Sequence, residues 1–169
     1  MSEIVNKIAN SPLVTIDLED LYPEGQRMQI DLASWLEEGF ILREKKFRDD
    51  LKNHDWSIYK DAYVALHCST DAILPGWTYL LMTSYLQAFT KYVVVGDVED
   101  LNEFLYHDLI MKLPLEPYQD KKVIIKGCSH KPVPPNAFLL LTQRLHPIVH
   151  SLMYGEACST VPLYKKGFS

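Results

Sequence analysis

Apolar positions along this chain come in short runs separated by helically spaced stretches. Residues 63–66 (YVAL), 92–95 (YVVV), 123–125 (VII) and 152–154 (LMY) are such runs. Their length and β-branched content predict buried strands. Gly96 and Gly155 follow two of them and mark their ends. Residues 77–90, 98–112 and 135–151 carry apolar side chains at helical spacing, with Asp97 placed to cap the middle helix. Pro147 should kink or shorten the last one. Wholly apolar strands alternating with helices indicate a parallel sheet covered on both faces.

The first 60 residues are patterned differently. Residues 13–18 (LVTIDL) and 28–32 (MQIDL) alternate enough to be strands, with Pro23-Glu24-Gly25 as a turn between them. Residues 44–54 are charged and helical. The tripeptide IDL occurs at both Ile16 and Ile30, an echo read here as chance. The expected fold is α/β: a mostly parallel sheet of about four strands with helices on both faces, plus an N-terminal antiparallel strand and helix cap. A single domain is expected over residues 1–169, with 1–60 as the cap.

An offset of 60 residues superposes two segments, 61–96 and 121–156. Cys68-Ser69 falls on Cys128-Ser129, Pro75 on Pro135, and Leu80-Leu81 on Leu140-Leu141; five of the 34 positions starting at Asp61 are identical. Each segment reads as strand, Cys-Ser, loop, helix, strand. They are either a duplication or two ordinary βαβ units, and the sequence leaves both open.

Composition narrows the function. Seventeen basic and 22 acidic residues give a net charge of −5, with no basic patch beyond Lys165-Lys166. Nucleic acid and anionic membrane surfaces are not expected partners. The longest apolar runs are about five residues, far short of a membrane span, and the N-terminus lacks a signal-peptide pattern, so a cytoplasmic location is expected. No two of the seven glycines are close enough for a dinucleotide or phosphate loop, which excludes the usual nucleotide cofactor motifs. Oligomeric state is not legible.

The remaining chemistry is sulfur. Cys68, Cys128 and Cys158 are each followed by serine. Cys68 and Cys128 stand just past strand ends, and Cys158 follows the last strand by four residues. Ligands of open α/β sheets bind at that edge. If the strand at 63–66 neighbours the one at 123–125, the cysteines converge there. Three thiolates could then hold zinc or an iron–sulfur cluster. His67, His130 or water would be the fourth ligand. His130 is preferred because His67, adjacent to Cys68 at a strand end, points to the opposite face. Two other readings stay open. Cys68 or Cys128 could be a nucleophile with His67 or His130 as base, or all three could be inert buried thiols. His54-Asp55-Trp56 reads as a helix end with an aromatic packed on the core. His146 and His150 have i,i+4 spacing, with Pro147 between them.

The stretches VNKIANSPLVTIDLEDLYPEG from Val5, KNHDW from Lys52, HCSTDAILPGW from His67, IKGCSHKPVP from Ile125 and GEACSTVPLYKK from Gly155 resemble one family. It is the domain-of-unknown-function 2480 family of bacterial proteins. The resemblance runs the length of the chain, includes all three Cys-Ser pairs, and carries over no catalytic residue. It implies iron–sulfur assembly proteins as partners, and hence an accessory role in cluster or sulfur handling rather than zinc. A cysteine-dependent enzyme or sulfur-transfer protein is the alternative, and a structural, partner-binding protein the second.

Overall fold

The computed structural model describes residues 12–127 and 130–167. Among them are seven strands and four helices: β1 (Leu13–Ile16), β2 (Arg27–Asp31), α1 (Glu44–Asn53), β3 (Tyr63–His67), α2 (Trp77–Leu86), β4 (Tyr92–Val95), α3 (Val98–Lys112), β5 (Lys122–Ile125), α4 (Pro135–Leu145), β6 (Ser151–Glu156) and β7 (Ser159–Lys165). The class is α/β.

The strands form two sheets, and the chain divides into two compact units. One unit runs from Glu24 to Phe104. It holds the all-parallel order β2-β3-β4. The other is split in sequence, Met1–Pro23 with Leu105–Ser169. It holds β1-β5-β6-β7, parallel except for the antiparallel β6–β7 pair.

This arrangement differs from the expected one in its pairing. The N-terminal strands are not an antiparallel cap: β1 pairs in parallel with β5, and β2 with β3. The antiparallel partner is instead C-terminal β7, whose Pro162 and mixed pattern hid it in the sequence. Strands β3 and β5, whose adjacency was the condition for the cysteines to converge, lie in different sheets. Apart from half-buried His67 and exposed Lys122, both are buried and apolar, so composition alone could not tell which partners each takes.

Local signals fared better. Asp97 caps α3, its Oδ1 accepting the N–H groups of Glu99 (2.8 Å) and Asp100 (3.0 Å). α4 ends at Leu145, two residues before Pro147, because that proline cannot continue the helix.

The two units repeat one another, at an offset of 59 rather than 60. Asp61 and Asp120 both have positive φ (59° and 56°). Asp61 N–H donates to the Phe89 carbonyl, and Asp120 N–H to that of Ile148, both at 2.8 Å. Buried Thr78, Met82 and Leu86 of α2 correspond to Ala137, Leu141 and Leu145 of α4. Thr83 and Thr142 make the same hydroxyl bond back to the carbonyl four residues earlier, each at 2.8 Å. Phe47 and Leu51 of α1 correspond to Tyr106 and Ile110 in the second half of α3, all buried. Gly96 and Gly155 share positive φ, 135° and 122°. A Cβ there would meet the Asp100 side chain and the Ser159 carbonyl respectively, at or below 2.6 Å, so only glycine fits.

The N-terminal strands join the scheme at an offset of 14. Ile16-Asp17-Leu18 matches Ile30-Asp31-Leu32, so the IDL echo is structural rather than chance. Ile16 pairs with Ile125 and Ile30 with Leu66, whose numbers again differ by 59. At this offset Asp61, Val64, Pro75, Leu80, Leu81, Thr83 and Leu86 all fall on identical residues, seven matches against five at 60. The Cys-Ser pairs no longer align: Cys68 falls on Gly127 and Ser69 on Cys128.

Candidate functional site

Where the repeats differ, the fold does not need the difference. At the end of β1, Asp17 accepts the Glu19 N–H (2.9 Å) and pairs with Lys126 Nζ (2.7 Å). At the matching end of β2, Asp31 accepts the Ala33 N–H (2.9 Å). It also takes the Ser69 N–H (3.0 Å) and the Ser69 hydroxyl (2.6 Å). Position 126 of the first repeat corresponds to His67 in the second. Asp31 is therefore held by neutral donors where Asp17 has a lysine. The Ser69 side-chain and backbone bonds, with smaller help from Ala33 and His67, keep the Asp31 carboxyl below its usual pKa. It is an anion at neutral pH.

Asp31 is on the wall of an open cleft of about 550 Å³ along β2. The turn after β2 contributes Trp35, and the end of α1 contributes Asp50 and His54. Gln29, Ser34, Asn53 and Tyr59 complete the polar lining, in which there is no Lys or Arg. Asp50 is already paired with Lys46 Nζ at 2.5 Å. Burial raises the Tyr59 hydroxyl pKa, so it stays neutral.

The rings behind the cleft pack closely. Trp35 stacks on Trp56 (centroids 5.9 Å, interplanar angle 11°). His54 meets Trp35 edge-on at 5.0 Å and Trp56 at 4.7 Å. The Trp56 indole N–H donates to the Leu51 carbonyl at 2.8 Å. His54 Nε2 is buried with no hydrogen-bond partner among the described residues. A buried unpaired ring nitrogen costs roughly 1–3 kcal/mol.

The split unit shows what the fold alone would put here. Its residues at the places of Trp35, Asp50 and His54 are Leu21, Leu109 and Leu113. All three leucines pack against that unit's hydrophobic core. At these half-buried places one repeat carries three leucines; the other carries a carboxylate, an imidazole and an indole, the indole still packed on the core of its unit.

The cysteines behave otherwise. Cys68 is half-buried and packs on the core of its unit. Its Sγ lies 3.4 Å from Thr70 Oγ1. The Thr70 hydroxyl donates its one hydrogen to the Gly39 carbonyl (2.6 Å). It can only accept from the Cys68 thiol, so Cys68 serves as a hydrogen-bond donor. Cys158 is exposed in the turn joining β6 to β7. Cys128 lies outside the described residues. The backbone N–H groups of His130 and Lys131 both donate to Glu19 Oε1. No group of three or more His, Cys, Asp or Glu able to hold a metal occurs among the described residues. The strand adjacency that was to bring Cys68 and Cys128 together is not formed, since β3 and β5 belong to different sheets. His146 and His150 do not share a helical face either, because α4 stops at Leu145; His146 packs on the Tyr164 ring at 4.0 Å.

The model of a protein family of unknown function, DUF2480, covers residues 2–166. The chain belongs to the DUF2480 family. No curated protein and no solved structure matches it. No helix among this family member's described residues is long and apolar enough to cross a membrane.

Sequence reading missed Asp31, Trp35 and Asp50, and took His54 for core packing. The offset of 59 was the available signal. It sets Asp50 and His54 against Leu109 and Leu113, and a polar residue opposite a leucine in a repeat marks a place released from packing duty.

Proposed function

We propose that this DUF2480 protein is a binding protein whose site is the cleft along β2. The observation that carries the reading is the exchange of Leu21, Leu109 and Leu113 in one repeat for Trp35, Asp50 and His54 in the other. The other repeat is built with leucines at these places, so the fold does not require a carboxylate or an imidazole there. A cleft of about 550 Å³ is in the usual range for a small molecule.

Fragment screening by NMR on ¹⁵N-labelled protein tests this. Fragments should shift the Trp35 indole N–H and the amides of Asp31 and His54. The double variant Asp50→Leu/His54→Leu should fold and lose those shifts. A broad library that leaves these signals still, or moves only signals elsewhere, ends the proposal.

A second reading keeps the cysteines as ligands of zinc or an iron–sulfur cluster, with iron–sulfur assembly proteins as partners. What favours it is the exposure of Cys158 in a turn leaving β6, beside β5, the strand that leads toward His130. It requires metal or visible absorption in protein purified without oxygen, lost in Cys158→Ala. Metal-free, colourless protein removes it.

A further inference from the structure

Resting on the cleft reading above, we propose that the ligand is a small organic ammonium ion, held by the Asp31 carboxylate and the Trp35 ring.

Charge selects this class. The cleft lining has two carboxylates and no Lys or Arg. Asp50 is neutralised by Lys46 at 2.5 Å, which leaves Asp31 as the anion without a basic side chain bonded to it. Its bonds come from Ser69 and Ala33, which orient the carboxylate without cancelling its charge. An anionic ligand would meet repulsion from the Asp31 carboxylate. A neutral polyol would leave the Asp31 charge unanswered.

The aromatic wall agrees. An ammonium group beside an indole gains from the ring quadrupole, and tryptophan is the strongest such partner. Trp35 is kept in place by stacking on Trp56 and edge contact with Phe47 at 6.3 Å. The other repeat carries leucine at the position of Trp35 and a lysine ion pair on Asp17, the counterpart of Asp31. In the unit of Asp31 that lysine is replaced by His67, which helps Asp31 only weakly, and the leucine by an indole; both changes favour a cation and both occur in the same unit.

The test compares choline with 3,3-dimethylbutan-1-ol, its neutral carbon isostere, by NMR titration of the Trp35 indole signal. Choline should shift it saturably, and the isostere should bind at least tenfold more weakly. Asp31→Asn should weaken choline at least tenfold, and Trp35→Leu, titrated on the Asp31 and His54 amides, should weaken it while amides away from the cleft keep their native positions. Asp31→Glu should restore part of the affinity; this covers the case in which Asp31→Asn disturbs the Ser69 turn. Equal binding of choline and the isostere overturns the ammonium assignment and leaves the cleft intact. So does a choline response unchanged by Asp31→Asn, or fragments that occupy the cleft while choline does not. Failure of every fragment instead sinks the cleft reading itself.

Discussion

Leu113 and His54 occupy the same place in two copies of one design, the leucine packed on its core and the imidazole with a buried, unpartnered Nε2. The copies therefore serve as each other's control. A residue kept for stability should not tolerate the other's identity; one kept for binding should.

Leu113→His should destabilise the protein by about 1–3 kcal/mol, from lost apolar burial and a polar ring put in its place. His54→Leu should be neutral or stabilising, because it removes an unsatisfied nitrogen and adds apolar contact. Urea melts of both variants give the comparison. A His54→Leu loss as large as that of Leu113→His would show the imidazole to be structural.

Asp31 makes stability depend on acid. Its folded pKa is depressed, chiefly by the Ser69 bonds, while the unfolded value is about 3.9. A depressed carboxyl pKa stabilises the native state above the unfolded pKa and loses that contribution as pH falls through the folded value. At neutral pH wild type should melt above Asp31→Asn, and the gap should close below about pH 4. Thermal melts across pH would contradict this if the gap stayed constant or widened in acid.

Asp61 and Asp120 hold left-handed backbone just before β3 and β5. Aspartate tolerates that conformation; a β-branched side chain does not. Asp61→Val and Asp120→Val should each cost about 1–2 kcal/mol, and the glycine variants should not. Equal stability of the valine and glycine forms would refute the strain account.

The described cysteines should differ in reactivity. Cys158 is exposed, whereas Cys68 is half-buried and donates to Thr70. A thiol reagent should label Cys158 in the native protein well before Cys68, and Thr70→Val should speed Cys68 labelling. Mass spectrometry after timed alkylation reads both. Faster labelling of Cys68 would revive it as a nucleophile.

Much of this molecule was legible one element at a time. Strand β4 and helix α3 fall where hydrophobic spacing set them, and Asp97 and Pro147 act as caps and stops through contacts a few residues away. Family membership was readable from contiguous stretches such as HCSTDAILPGW. These are local properties, and local sequence encodes them.

Pairing is not local. Tyr63–His67 and Lys122–Ile125 are interchangeable as apolar strands, and only the burial of whole sheets decided that each takes its own N-terminal partner, β2 or β1. That decision moved the repeat register from 60 to 59, dissolved the match between Cys-Ser pairs, and set Asp31 beside Trp35 and His54. Sequence alone settled which segments are strands and helices, because side-chain periodicity and capping act within a turn or two. Tertiary structure settled which strands meet and where a cleft opens, because those depend on surfaces that exist only once distant segments have packed.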